Sequence, residues 1–156
     1  MSSRFLFVDV DGVFHPADAH FALDDIKVPL VELQAAGMFR HVGLLASTLV
    51  DHTEVRLVVH SSWRHTHSDD ELRLLFGPLS SRVVGATDRA LDRQLSVFDF
   101  ALRRQLAPAQ YRVLDDQPEL LEELGDVVIS CDPNLGLAAP ATQRQLQAWL
   151  NGTEER

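Results

Sequence analysis

Five short apolar runs punctuate the chain, at Phe5–Val10, Arg56–His60, Arg82–Gly85, Tyr111–Leu114 and Asp126–Ser130. Most are continuous rather than alternating, the pattern of strands covered on both faces. Between them the apolar positions change to helical spacing. Over Met38–Asp51, the side chains of Val42, Leu45, Leu49 and Val50 share roughly one helix face. Ser68-Asp69-Asp70-Glu71 reads as a capping box opening a short helix, which Gly77-Pro78 ends. Asp92–Leu106 predicts a third helix, closed before Pro108. Pro118 suits the first turn of a fourth, running to Leu124. A fifth starts near Pro140, places Leu146, Trp149 and Leu150 on one side, and stops at Asn151-Gly152. Strand alternating with helix predicts an α/β domain built on an open, mainly parallel five-stranded sheet with helices on both faces. The segment His15–Gly37, with Pro16, Pro29 and mixed polarity, resists assignment. Residues 153–156 read as a frayed tail, leaving 1–152 as a single domain.

Composition narrows the class. Forty-six per cent hydrophobic residues suffice for a core and argue against disorder. One cysteine, Cys131, excludes an internal disulfide framework and a multi-cysteine zinc site. No apolar run approaches the ~20 residues needed to span a bilayer, and the N-terminal run is too short for a signal peptide. The expectation is a soluble, cytoplasmic protein without a membrane partner. A net charge of −9 disfavours tight nonspecific nucleic-acid binding, which needs a basic footprint. Lys27 is the only lysine, so a site needing a fixed positive charge must use arginine.

In open parallel sheets ligands bind beyond the carboxyl ends of the strands. Those ends deliver Asp9-Val10-Asp11-Gly12, His60-Ser61-Ser62-Trp63-Arg64, Gly85-Ala86-Thr87-Asp88, Asp115-Asp116 and Cys131-Asp132. Four acids and a serine pair thus converge on one edge from distant segments. Turn-forming aspartates are the plain alternative for one pair; two pairs at equivalent strand ends weigh against it. Close carboxylates raise one another's pKa unless a cation sits among them. Asp9, Asp11, Asp115 and Asp116 therefore imply a hard divalent cation, Mg²⁺ held by oxygen ligands. Gly12 permits a turn after the aspartates.

These segments carry a resemblance. Phe5-Leu6-Phe7-Val8-Asp9-Val10-Asp11-Gly12-Val13 resembles the first motif of the haloacid dehalogenase-like (HAD) superfamily. Leu57-Val58-Val59-His60-Ser61-Ser62 is similar to the second motif, and Val113-Leu114-Asp115-Asp116 to the fourth. Ser61-Ser62-Trp63-Arg64 followed by Gly85-Ala86-Thr87 is similar to small HAD domains of Swiss-army-knife RNA repair proteins. The resemblance implies a Rossmann-like sheet and a Mg²⁺-dependent phosphohydrolase working through an aspartyl-phosphate. It makes Asp9 the nucleophile and Asp11 the general acid and base. Ser61 would hold the phosphoryl oxygens, with Ser62 as the fallback, and Arg64 and Gly12 would serve the substrate side. Metal would be held by Asp9, the backbone carbonyl of Asp11 and Asp116, with Asp115 nearby.

The departure is the third motif, normally a lysine. Lys27 lies in the wrong segment; Arg89, Arg93, Arg103 and Arg104 lie in the right interval, and Arg93 is favoured because it starts a helix. Arg64 has two open roles, clamping a phosphate or tethering Asp115. For His60, His65 and His67 loop or capping roles outweigh metal ligation, and for Trp63 core packing outweighs stacking on a base. Cys131 reads as a buried strand residue and Asp132-Pro133 as a turn. The missing lysine keeps open a HAD-fold interaction or regulatory domain with lost catalysis; the Asp9, Asp11, Ser61 and Asp116 set speaks for an enzyme. Taking Asp-x-Asp as a sugar-nucleotide motif fits poorly in 156 residues. No interval is long enough for the ~50 residues of a separate cap domain. The expectation is a capless site with Asp9 open to solvent beneath a short flap from 14–37. An open site suits a bulky phosphate such as a nucleic-acid end better than a small molecule, with dimerisation as the alternative source of a lid.

Overall fold

The structure, a computed structural model, describes residues 3–17 and 29–154. Five strands form one parallel sheet: β1 (Arg4–Val8), β2 (Val55–Val59), β3 (Val83–Ala86), β4 (Tyr111–Asp115) and β5 (Val128–Ser130). Their spatial order is β3-β2-β1-β4-β5, so β1 is the middle strand. The expected open parallel sheet is observed.

Alternation along β1 builds two cores. Leu6 and Val8 join Leu57, Val59 and Leu114 on one face. Covering that face are α1 (Leu30–Ala35), α2 (Val42–Thr48), α3 (Asp69–Leu75) and α5 (Pro140–Asn151), through Leu33, Leu45, Leu72 and Leu146. Phe5 and Phe7 join Val58 and Val113 on the other face, under Val97 and Ala101 of α4 (Arg93–Arg103). Phe7 is fully buried and meets the edges of Phe100 and Tyr111 at centroid distances of 5.3 and 5.8 Å. Truncating such a ring to alanine costs about 3–5 kcal/mol. Local signals fix the helix starts. Ser68 Oγ accepts from the Glu71 N–H while Glu71 Oε1 accepts from the Ser68 N–H, the reciprocal cap that opens α3. Asp92 accepts from the Leu95 N–H at 2.8 Å and opens α4.

Three elements differ from expectation. The helix over Met38–Asp51 shrinks to α2, because buried Phe39 adopts φ 60° and breaks the pattern before Val42. Part of the unassigned segment forms α1. Pro118–Val127 is a chain of 3₁₀ turns rather than an α-helix, kinked at Leu121 and at Gly125, where φ is 64°. That kink carries Asp126 and Val127 out of β5. Of the flap expected over 14–37, residues 18–28 lie outside the described residues, and the described remainder includes α1. Among the described residues no cap domain is inserted: between β2 and β4 the chain is taken up by 3₁₀ turns, α3, β3 and α4.

Candidate active site

The sheet order places a switch point between β1 and β4. The chain leaves β1 toward β2 on one side and leaves β4 toward β5 on the other, opening a crevice beyond their carboxyl ends. Asp9 follows β1 directly, and its N–H donates to the Leu114 carbonyl at 3.0 Å, which sets it beside Asp115. Carboxylate oxygens of Asp9, Asp115 and Asp116 lie within 4.8 Å of one another. Arg93, in the first turn of α4, reaches across the cluster. Its Nη1 donates to both Asp115 oxygens at 3.1 and 3.0 Å and to Asp9 Oδ2 at 3.4 Å.

Three carboxylates against one guanidinium leave two negative charges in a largely buried space. The titration behaviour follows. Burial, with the Asp115 charge beside it, pushes the Asp9 carboxyl well above the usual range, and Arg93 offsets only part of this. Asp116 is pushed up by burial and by the Asp115 charge beside it. Burial would raise Asp115 too, but a hydrogen bond from His60, the Arg93 charge and the Gln117 N–H hold it below the usual range. His60 is itself held below its ordinary value by complete burial, so its neutral ring donates from Nε2 to Asp115 Oδ2 at 2.9 Å. The cluster can therefore hold a divalent cation, which would neutralise the excess charge with hard oxygen donors. Asp115 already accepts two donors at each oxygen, from Arg93 and Gln117 at Oδ1 and from Arg93 and His60 at Oδ2. Asp9 and Asp116 are the carboxylates better placed to ligate directly, with Asp115 anchoring Arg93.

Asp11 lies outside this cluster. Its side chain is 41% exposed, with His15 Nε2 2.7 Å from Oδ1 and Trp63 Nε1 3.1 Å from Oδ2. Gly12 serves the cluster sterically. At φ 79° a side chain is strained, and a Cβ there would stand 2.3 Å from Asp116 Cγ. Its hydrogen is what allows Asp116 to close over the β1 turn. Ser61, two residues beyond β2, is fully buried. Its Oγ accepts the Trp63 N–H at 3.1 Å, which leaves its O–H to donate elsewhere. Ser62 is exposed, and its hydroxyl has no hydrogen-bond partner among the described residues.

Several expectations are corrected. Asp9 is buried, 3% exposed, rather than open to solvent, because Arg93, Asp115 and Asp116 close around it. Arg64 does not tether Asp115. Its Nη atoms donate to the backbone carbonyls of His60, Ser61 and Leu91, pinning the loop after β2. Cys131 is buried but follows β5 instead of lying in it, and burial pushes its thiol pKa up. Among the candidate arginines, Arg89 binds Asp69 and the carbonyls of Arg64 and His67, Arg103 pairs with Asp99, and Arg104 covers the Phe5 and Phe100 rings. Arg93 alone of the four meets Asp9.

Sequence reasoning missed His15 and understated His60 and Trp63. His60 sits one residue past β2 at the strand edge, a position that could have marked it. His15 carries no such signal; only the turn at residues 11–15 brings it under Asp11. Trp63 does pack inward, edge to face with Phe39 and stacked on His67, while its Nε1 serves Asp11. No helix among the described residues is long and apolar enough to cross a membrane.

The family model described as the HAD domain in Swiss Army Knife RNA repair proteins matches residues 5–142. No curated protein and no solved structure matches the chain.

Proposed function

The chain belongs to the HAD domains of Swiss Army Knife RNA repair proteins, and from that premise we propose that it is a Mg²⁺-dependent phosphomonoesterase acting through an aspartyl-phosphate. The observation that carries the reading is the pairing of Asp9, held by Arg93 at the switch point, with Asp11 two residues on, held apart on its own donors. One carboxylate faces the fixed charge; the other faces outward, where a leaving group would sit.

In this reading Asp9 attacks phosphorus and the bond to the leaving oxygen breaks, with Asp11 supplying that oxygen's proton. Water then attacks the phosphorus of the acyl phosphate, Asp11 takes its proton, and phosphate leaves with Asp9 regenerated. Proton transfer by one positioned group contributes about 10²–10⁴ in rate. Phosphate monoesters need far more, so fixed charge must supply much of the rest. Arg93 provides it, and the Ser61 hydroxyl offers a donor to a phosphoryl oxygen. Mg²⁺ held by Asp9, Asp116 and the Asp11 carbonyl would supply further charge neutralisation at the phosphoryl group.

The substrate class we favour is a bulky phosphate, such as a nucleic-acid end, because the described residues build no cap domain over the site. Net charge of −9 favours a terminus over a long duplex tract. The test is a screen of phosphorylated metabolites and of 5′- and 3′-phosphorylated oligonucleotides, with and without Mg²⁺. Turnover that needs Mg²⁺ and prefers polymer ends supports the reading; preference for a small sugar phosphate removes the substrate class. Absence of all phosphate release would favour a binding domain instead.

A further inference from the structure

We propose that His15 and Trp63 are positioning residues for Asp11, acting as a two-pronged clamp that aims its carboxyl at the leaving oxygen. The inference rests on the reading of Asp11 as the general acid and base.

Asp11 needs such a clamp. It lies at the turn beyond β1 with its side chain 41% exposed, and among the described residues its side-chain hydrogen-bond partners are His15 and Trp63. His15 Nε2 holds one carboxyl oxygen and Trp63 Nε1 the other. Both donors are built in from elsewhere. His15 is fully buried, and its Nδ1 accepts the Phe39 N–H at 3.1 Å. That bond uses the Nδ1 lone pair and puts the ring proton on Nε2, toward Asp11. Phe39 presents its N–H from a left-handed backbone, φ 60°, which a bulky residue adopts only where surrounding contacts hold it. Its ring supplies them, packed against Phe14, Phe76, His15 and Trp63. Trp63 is fixed in turn by the His67 ring stacked on it at 5.2 Å. The chain thus spends an unfavourable backbone conformation to set one imidazole tautomer. Each clamp donor takes one lone pair of a carboxyl oxygen and leaves Asp11 capacity to exchange a proton with the substrate.

The test uses the full chain with Mg²⁺ and 4-nitrophenyl phosphate. His15→Phe keeps a ring but removes both nitrogens, His15→Gln returns an amide N–H near the Nε2 position, and Trp63→Phe removes only the indole donor. A misplaced reacting group costs up to about 10²-fold, so we expect kcat to fall about 30-fold in His15→Phe and about 10-fold in Trp63→Phe. Because only the second step slows on this substrate, kcat/KM should stay within about twofold and KM should fall with kcat, and His15→Gln should recover most of the loss. Nitrophenolate departs without a proton, so the first step needs no acid. His15→Phe should therefore retain a full burst of nitrophenol, about one per chain, ahead of a slowed steady state. A burst that shrinks along with kcat overturns the proposal, since His15 would then hold the fold rather than Asp11. So does a kcat within twofold of wild type in both Phe variants, or a His15→Gln no better than His15→Phe. Turnover in Asp9→Asn at the wild-type rate overturns the aspartyl-nucleophile reading itself, and the clamp with it. Loss in Asp9→Asn with both clamp variants unaffected overturns the clamp alone.

Discussion

Replacing Asp9 by asparagine should stabilise the metal-free protein while abolishing turnover. An amide cannot attack phosphorus, yet it fills nearly the same volume. In the wild type, ionised Asp9 faces two further carboxylates with oxygens within 4.8 Å. At an effective dielectric near 20 each such pair repels by about 3–4 kcal/mol, and Arg93 at close range cancels about one of them. The other remains, with burial added. Asparagine removes the charge, can turn its oxygen toward Arg93, and can donate its N–H to Asp116. Allowing for relaxation, we expect a gain of about 2 kcal/mol at pH 7.5 in chelator, or about 4–8 °C in Tm for a chain this size. The sign has a pH signature. A carboxyl whose folded pKa is raised costs nothing below its unfolded value of about 4, and the cost grows as pH climbs toward the folded value. The advantage of Asp9→Asn should therefore vanish near pH 4 and widen toward neutrality. Saturating Mg²⁺ should close or reverse the gap, because ligand at 100 times its Kd stabilises the wild type by about 2.7 kcal/mol. Thermal unfolding by circular dichroism, across pH with chelator or MgCl₂, measures all of this. A variant less stable than wild type in chelator at pH 7.5 would refute the reasoning.

Arg93→Met should lower kcat by about 10²–10³, as loss of a preorganised donor does, while Arg93→Lys recovers part of it; steady-state kinetics on 4-nitrophenyl phosphate decides. Gly12→Ala should cost about 1–2 kcal/mol in backbone strain and weaken Mg²⁺ binding by displacing Asp116, readable by denaturant unfolding and titration calorimetry. His60→Leu removes the donor that helps hold Asp115 low, leaving a buried acceptor short of a partner at about 1–3 kcal/mol. Because Asp115 is depressed, that stability is present above about pH 4 and is lost as pH falls through the folded value; the variant should show a flatter acid limb in unfolding. Excess chelator should abolish turnover, and Mg²⁺ should restore it better than Ca²⁺, whose longer bonds and higher coordination number fit a compact site poorly.

The fold was legible in the sequence because its signals are local. Buried parallel strands read as continuous apolar runs, and the cap at Ser68–Glu71 and the acid at Asp92 announce helix starts within four residues. Which strand ends carry acids followed from the same runs, so Asp9, Asp11, Asp115 and Asp116 could be named without coordinates. Helix extent failed where tertiary contacts overrode spacing: Phe39 leaves the helical pattern for a ring cluster and a hydrogen bond to His15. Division of labour among the acids was also decided in three dimensions. Asp115 and Asp116 are adjacent in sequence, yet one is saturated by Arg93, His60 and Gln117 while the other closes over Gly12. Arg93 could be favoured from its helix position, but its reach to Asp9 depends on where α4 docks. The donors on Asp11 come from a turn at residue 15 and from a loop some fifty residues on. Periodicity reports which face of an element is buried; it carries no information on which side chains from separate elements meet, since that is set by how the elements pack.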